Sequence, residues 1–169
     1  MKFADELITI DGCRTRLRRG GKGKPLVYLH GAGGAPVIQP FMEKLAERFD
    51  VLVPEHPGYG ASDEPQWLEN IHDVAYFYLD FLKQLDLRDV VLVGASMGGW
   101  MAMEIAVRDC SRLARLVLVG AAGIASPDAE VADTFLMAPE EQVRALYHDQ
   151  KIARRSSRFR RRRNRSTRC

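Results

Sequence analysis

Short apolar segments alternate with longer segments of helical periodicity along the chain. The apolar segments, which favour β-strands, are residues 7–10, 15–19, 25–30, 51–53, 90–93 and 116–119. The helical segments are residues 36–48, 70–85, 97–108 and 139–148. Strands that alternate with helices in this way are typical of a mostly parallel sheet. The sequence therefore predicts an α/β fold with helices on both faces of the sheet.

Three local patterns add detail to this sheet. The Asp-Gly pair at residues 11–12 separates the first two strands and favours a tight hairpin between them. Phe41, Leu45 and Phe49 are spaced for one face of the first predicted helix. Residues 90–93 contain no polar side chain, so we expect this strand to be covered on both faces.

Composition indicates a single globular domain. The 169 residues are 46% hydrophobic, which is enough for a substantial core. No apolar stretch follows a basic segment at the start, so we expect no signal peptide. The longest apolar stretch, residues 113–125, is interrupted by Arg115 and is too short to span a bilayer. We therefore expect a cytoplasmic protein without membrane contact. Cys13, Cys110 and Cys169 are widely spaced and odd in number, so we expect them to be unpaired thiols.

The formal net charge of +3 is unevenly distributed. Residues 151–169 hold Lys151 and nine arginines without an acid, whereas residues 1–150 hold 15 basic and 22 acidic residues. The body of the chain is therefore acidic, and its overall basicity comes from the last segment alone. That segment is too polar and repetitive to pack a core, so a boundary is expected near residue 150.

The motif with the most specific chemistry is Gly94-Ala95-Ser96-Met97-Gly98, a G-x-S-x-G sequence. It follows an apolar strand and begins a helix, which is the context this motif requires. Such a turn holds the serine hydroxyl out at the carboxyl edge of the sheet, where a helix N-terminus stabilises negative charge. We therefore predict Ser96 as a nucleophile, with Gly94 and Gly98 leaving room for the strand and helix backbones to pass closely.

Two further loops follow strands of the same predicted sheet. His30-Gly31-Ala32-Gly33-Gly34 is rich in glycine, and its free backbone N–H groups suit an oxyanion. Acyl transfer needs two such donors, and we predict Met97 N–H as one and either Ala32 or Gly33 N–H as the other. A phosphate loop is disfavoured because neither a P-loop nor a dinucleotide fingerprint is present. Residues 54–63 form the other loop, which is rich in turn-forming residues.

These three loops, in this order and spacing, resemble the α/β-hydrolase family over roughly residues 5–125. The family pattern D-x-P-G-x-G-x-S matches residues 55–62, with Glu55 at the acidic position. The resemblance implies an α/β-hydrolase core truncated after about the sixth strand, and no cofactor. It also implies a small-molecule substrate with an ester, acyl or C–C bond. In the implied triad Ser96 attacks, a histidine takes its proton and an acid orients the histidine.

On this resemblance we divide the chain into three parts: a hydrolase-like core at residues 1–122, the start of a cap or lid at residues 123–150, and an arginine-rich segment at residues 151–169 that we expect to be disordered. Met97, Trp100, Tyr59 and Phe135 are candidates to line a substrate pocket, although ordinary packing is the more frequent role for each.

The triad acid and histidine have no clear match. In the family they follow Ser96 in the order acid, then histidine. Asp128 and His148 are weak candidates, and we favour a helix cap for Asp128 and a solvated side chain for His148. The other histidines are His30, His56 and His72, for which structural or surface roles are expected.

Alternatives to a working enzyme stay open. A chain without the later strands leaves an apolar strand edge, which is a site for aggregation or self-association. In one alternative the chain is a defective fragment. In the other it is a non-catalytic module whose basic segment binds nucleic acid, since clustered arginine binds phosphate. The nucleic-acid role is disfavoured because residues 154–169 also have the composition of an out-of-frame translation of GC-rich coding sequence.

The nucleotide sequence downstream of codon 150 tests that interpretation. We expect another frame to encode two further strands, a late aspartate and a late histidine. An open frame that encodes only the arginine-rich segment contradicts it. In that case, salt-dependent nucleic-acid binding that is lost on deletion of residues 154–169 supports the basic-module alternative.

Overall fold

The computed structural model describes residues 3–125, 136–146 and 148–151. In the described residues six strands form one sheet. They are β1 (Ala4–Ile10), β2 (Cys13–Gly21), β3 (Lys24–Leu29), β4 (Phe49–Pro54), β5 (Val90–Ala95) and β6 (Leu113–Val119), in the spatial order β1-β2-β4-β3-β5-β6. The β1–β2 and β2–β4 pairs are antiparallel, whereas β4–β3, β3–β5 and β5–β6 are parallel. The predicted hairpin and the mostly parallel sheet are confirmed.

The helices follow strands along the chain. They are α1 (Pro40–Leu45), α2 (Ile71–Gln84), α3 (Met97–Arg108) and α4 (Pro139–Leu146). The start of α2 shows why a helix begins there: the Asn70 side chain accepts a hydrogen bond from His72 N–H at 2.8 Å, and the Asp73 carboxylate accepts one from Asn70 N–H at 2.9 Å. This reciprocal cap satisfies N–H groups that lack partners inside the helix.

The sheet separates two layers of apolar core. Leu52 and Leu92 point to one layer together with the buried residues of α2 and α3. Val51 and Val53 point to the other layer together with Met42 of α1. Successive strand side chains alternate between opposite faces of a sheet, so an unbroken apolar strand serves both layers. The prediction of helices on both faces is confirmed.

The first predicted helix is shorter than residues 36–48. It spans Pro40–Leu45, and Phe49 belongs to β4, where it pairs with Lys24. Phe41 is 46% exposed, and Met42 is the buried residue of this helix instead. The prediction was wrong because Pro40 fixes the first turn of the helix, and the parallel pairing with β3 requires extended backbone from Phe49 onward.

The last strand of the sheet is exposed. Leu116, Val117, Leu118 and Val119 of β6 expose 38–54% of their surface. Val91 and Val93 of β5 are only partly buried, so the expected full cover of this strand holds for one face alone. An exposed apolar edge was expected from the sequence, and self-association through it stays a prediction.

The chain divides into two compact units, Met1–Ile124 and Ala125–Cys169. The sheet and helices α1–α3 lie in the first unit, and α4 lies in the second. The boundaries predicted at residues 122 and 150 stay predictions. In the described part of the chain, no helix has the length and apolar character needed to cross a membrane.

Replacing Phe81 tests the larger core layer. Phe81 on α2 is 0% exposed, so Phe81→Ala is expected to lower the free energy of unfolding by about 3–5 kcal/mol, since it leaves a cavity. Tyr76 on the same helix is 57% exposed, and Tyr76→Ala is expected to cost less than about 1 kcal/mol. Chemical denaturation of the full chain measures both. Equal effects would contradict the assigned helix face.

Candidate active site

Ser96 lies at the junction between β5 and α3, in strained backbone. Its φ and ψ angles are 53° and −119°, in a region that side-chain-bearing residues rarely adopt. Its N–H donates to the carbonyl of Val119 at 3.0 Å, and its own carbonyl accepts from Gly99 and Ala122 at 2.9 and 3.0 Å. Such strain persists only where surrounding contacts over-determine it. The residue is nevertheless exposed to solvent.

Gly94 and Gly98 flank this turn because no side chain fits at either position. A Cβ on Gly94 would lie 2.3 Å from the carbonyl oxygen of Gly98, and a Cβ on Gly98 would lie 2.2 Å from that of Leu29. The helix therefore packs directly on the backbone of β5 and of β3. The backbone therefore approaches closely at both glycines, and the predicted roles of Gly94, Gly98 and Ser96 in a nucleophile turn stay predictions.

The glycine loop, which we define as residues 30–36, lies beside Ser96. A Cβ on Gly31 would lie 3.0 Å from the Cβ of Ser96 and 3.6 Å from its Oγ. Gly34 N–H donates to the Gly31 carbonyl at 3.0 Å and closes a turn around Ala32 and Gly33. Both residues in this turn are exposed.

The three predicted oxyanion donors are not used by the turns and loops described. Within residues 3–125, no backbone–backbone hydrogen bond outside the helices and strands uses the N–H of Ala32, Gly33 or Met97. Met97 is the first residue of α3, so its N–H has no acceptor inside the helix. These amides lie in the glycine loop and at the start of α3, on either side of Ser96, and their role as oxyanion donors stays a prediction.

A close pair of histidine rings lies at the start of the glycine loop. The rings of His30 and His56 have centroids 3.6 Å apart and are tilted by 34°. His56 N–H donates to Nε2 of His30 at 3.2 Å, so the proton of a neutral His30 ring is on Nδ1, which donates to the Gly31 carbonyl at 2.8 Å. Nε2 of His56 faces the His30 carbonyl at 2.8 Å and therefore carries the proton. Its Nδ1 accepts from the Tyr78 hydroxyl at 2.5 Å.

Burial keeps both rings neutral. Burial, together with the neighbouring His30 ring, lowers the pKa of His56 from its ordinary value of 6.5 to about 3. Burial also lowers the pKa of His30. The Tyr78 hydroxyl is fully buried, and this raises its pKa well above the ordinary value. The assigned tautomers satisfy every ring nitrogen with one partner, as a buried polar network requires.

These contacts exclude His30 and His56 as the base for Ser96, since both unprotonated nitrogens already accept a hydrogen bond. His72 is exposed, and its ring contacts Glu104 and Arg108 on the surface of α2 and α3. The structural and surface roles expected for these three histidines agree with their positions. His148 is exposed and belongs to the second unit, and Asp128 lies outside the described residues.

The second loop near Ser96, which we call the Pro-Gly loop, comprises residues 54–63. Its Tyr59 hydroxyl lies 3.8 Å from Sδ of Met97, and its ring lies against Gly34. Trp100 is 37% exposed and donates to Glu104 at 3.2 Å on the helix surface. Phe135, the other candidate for a pocket wall, lies outside the described residues. In the described ranges, no cluster of His, Cys, Asp or Glu is arranged to hold a metal ion.

Two residues of this region have no clear indication in the sequence. Tyr78 occupies a position that helical periodicity assigns to the core, and nothing in the pattern distinguishes its hydroxyl. Arg18 lies among three other arginines within residues 14–19, yet it is 4% exposed and contacts Glu55 and the glycine loop. The one indication of such a role is Glu55. A charged side chain that is buried in a loop rich in Pro and Gly needs a partner of opposite charge.

Comparison with known proteins identifies the family to which this fold belongs. A family model described as the alpha/beta hydrolase fold matches residues 24–161. A 2-hydroxymuconate semialdehyde hydrolase from Pseudomonas sp. (strain CF600) is 35% identical over 127 residues, which cover 72% of this chain and 45% of the relative. A 2-hydroxy-6-oxo-2,4-heptadienoate hydrolase from Pseudomonas putida is 30% identical over 123 residues, covering 70% and 45%.

A solved structure extends the comparison to three dimensions. The crystal structure of a serine hydrolase involved in carbazole degradation superimposes with a TM-score of 0.66 at 26% identity, covering 73% of this chain and 50% of that one. The chain therefore spans about half the length of each of these three proteins.

The pH dependence of stability tests the neutral state of His56. Its folded pKa lies below its unfolded value, so the unfolded chain binds a proton that the folded chain does not. The free energy of unfolding should therefore fall as the pH drops from about 6.5 towards 3, and this one group contributes about 1.4 kcal/mol per pH unit. In His56→Gln the unfolding free energy should depend less steeply on pH, by up to about 1.4 kcal/mol per pH unit, which corresponds to one bound proton. Denaturant unfolding at a series of pH values measures it, and identical slopes would contradict a neutral buried His56.

Proposed function

Because the chain belongs to the α/β-hydrolase fold family, we propose that it carries the nucleophile and the oxyanion-binding amides of a serine hydrolase. The substrate is a small molecule whose ester, acyl or C–C bond is cleaved. The observation that carries this proposal is the strained, exposed Ser96 beside two loops with free backbone amides.

Ser96 is the attacking group. Its position between β5 and α3 holds the hydroxyl at the carboxyl edge of the parallel strands, at the N-terminus of a helix. Attack on a carbonyl carbon forms a bond from Oγ and moves negative charge to the carbonyl oxygen, while the hydroxyl proton passes to a base. The helix N-terminus favours that developing charge.

Met97 N–H and Ala32 N–H are the proposed oxyanion donors. The Gly31 carbonyl is held by two donors, His30 Nδ1 at 2.8 Å and Gly34 N–H at 3.0 Å. In a planar trans peptide the carbonyl and the following N–H point in opposite directions. Fixing the Gly31 carbonyl therefore fixes the direction of Ala32 N–H, which supports Ala32 over Gly33 as the second donor.

The base for Ser96 comes from outside residues 3–125. His30 and His56 have no free nitrogen, and His72 contacts charged groups on the helix surface. His148 and Asp128 stay the candidates for the histidine and acid of the triad. An oxyanion hole with bound substrate alone retains about 10³–10⁴-fold catalysis over water. We therefore expect a reactive but slow serine unless a base joins the site.

The relatives indicate the substrate class. Two are named as hydrolases of 2-hydroxymuconate semialdehyde and of 2-hydroxy-6-oxo-2,4-heptadienoate, and one solved structure is named as a serine hydrolase. These names support a small carbonyl compound as the substrate of this chain. We also propose a cytoplasmic location, on the sequence pattern alone.

A non-catalytic role is the second candidate. It is favoured by one observation: every histidine ring within residues 3–125 already has partners other than Ser96. In that case the chain keeps the family fold but does not acylate.

Labelling with a fluorophosphonate probe separates the two candidates. The full chain should be phosphonylated at Ser96, and Ser96→Ala should abolish the product, as read by peptide mass spectrometry. The rate should lie below that of hydrolases with a complete triad. A sample with a cooperative thermal transition and no adduct at Ser96 would contradict the proposed function.

Replacing Ala32 tests the second oxyanion donor. Ala32 occupies the second position of the turn closed by Gly31 and Gly34, where proline is well tolerated. Ala32→Pro removes only this N–H and should lower the labelling rate about 10²–10³-fold. Ala32→Gly keeps the N–H and should stay near the original rate. A normal rate in Ala32→Pro would instead assign the donor to Gly33.

A further inference from the structure

A buried arginine joins the two loops that border Ser96. Arg18 is 4% exposed, and its partner Glu55 is 3% exposed. Arg18 Nη1 donates to the carbonyl of Ala35, and Nη2 donates to that of Pro36 at 3.2 Å. Nη2 also lies 3.5 Å from Oε1 of Glu55. One guanidinium therefore holds the far end of the glycine loop and the start of the Pro-Gly loop.

Glu55 continues this connection into the Pro-Gly loop. Its Oε2 accepts from Ala61 N–H at 2.9 Å, and its backbone carbonyl accepts from the Ser62 hydroxyl at 2.9 Å. Charged side chains on β1 and β2 further balance the charge of the pair. Asp5 lies 3.4 Å from Arg18 Nε, and Arg16 lies 3.9 Å from Glu55. Each charged group thus has several partners, as burial of an ion pair requires.

The pair does not follow from stability alone. Burying two charges is costly, and well-packed apolar side chains of similar volume often serve stability equally well. A planar guanidinium, in contrast, offers several donors in fixed directions. Here those donors go to two loop carbonyls, so the contact defines the path of the glycine loop rather than merely filling space.

The glycine loop is consequently fixed at both ends. At its start, His30 binds the Gly31 carbonyl at 2.8 Å, and at its end Arg18 binds the carbonyls of Ala35 and Pro36. Ala32, the proposed oxyanion donor, lies between these points. A shift of about 1 Å in a group that positions the reacting atoms can cost about 10²-fold in rate.

We propose that Arg18 is a positioning residue that, paired with Glu55, fixes the glycine loop so that the Ala32 amide faces the oxyanion formed at Ser96. This inference rests on the proposed function. Arg18 itself touches neither substrate nor Ser96. It acts through the loop carbonyls, so its loss changes the rate of the chemical step more than the binding of a probe.

Arg18→Lys is the principal test. The ammonium group keeps the charge beside Glu55 but lacks the planar fork that reaches two carbonyls and a carboxylate together. Labelling of the full chain at several fluorophosphonate concentrations gives the maximal inactivation rate constant and the probe's half-saturation concentration. We expect the former to fall about 10-fold, a part of the loss found when a whole oxyanion donor is removed. The half-saturation concentration should change less than about twofold, because the contact does not touch the probe.

Arg14→Lys is the matched control. Arg14 lies on the same strand and pairs with Asp63 of the Pro-Gly loop at 2.9 Å, but its side chain is 64% exposed and has no contact with the glycine loop. Both labelling parameters should be unchanged in this variant. Glu55→Gln is the second test variant and keeps an acceptor for Ala61 N–H. It should give an intermediate loss in the inactivation rate, and it decides the question if Arg18→Lys does not fold.

Amide NMR spectra of the same proteins separate the failure of this inference from failure of the proposed function. The Ala32 and Gly33 amide signals should shift or broaden in Arg18→Lys and stay in place in Arg14→Lys. If the unmodified chain is not labelled but these signals respond, Arg18 positions the loop and the hydrolase proposal fails. If the chain is labelled and Arg18→Lys matches Arg14→Lys in rate and spectrum, the role of Arg18 is overturned. A lowered thermal midpoint with unchanged labelling of the folded protein likewise overturns it.

Discussion

The strained backbone at Ser96 is the constraint on which the rest of the site depends. A residue with a side chain at φ 53° costs free energy, and here hydrogen bonds to Val119, Gly99 and Ala122 hold it there. The close packing of Gly94 against Gly98 leaves no room for a side chain at residue 94. Residues of β6, of α3 and of the loop after β6 all form hydrogen bonds with Ser96. Its position therefore depends on several elements of the core at once.

The polar interior beside Ser96 is organised to support the turn rather than to transfer protons. His30 and His56 are neutral and stacked, and their nitrogens are committed to Gly31, Tyr78 and each other. Arg18 and Glu55 form the corresponding charged support at the far end of the glycine loop. Together these groups place two loops at fixed distances from the strand that carries Ser96. The proton acceptor that a hydrolase needs is absent from this described core, which is why Ser96 is expected to react slowly by itself.

Local sequence patterns predicted what local physics decides. The alternation of apolar strands and amphipathic helices predicted the sheet, and the glycines around Ser96 predicted the turn, because both follow from backbone sterics over a few residues. The first helix was predicted too long, since pairing of Phe49 with a distant strand sets where it ends. The role of Arg18 was not predictable either. Its burial depends on loops that lie 17 and 37 residues further along the chain.

The geometry around Ser96 is tested most directly by a crystal structure of the full chain after reaction with a phosphonate. The account predicts a bond from Ser96 Oγ to phosphorus, with one phosphoryl oxygen about 3 Å from the backbone nitrogens of Met97 and Ala32. A phosphoryl oxygen that faces solvent, away from both the helix N-terminus and the glycine loop, would contradict it.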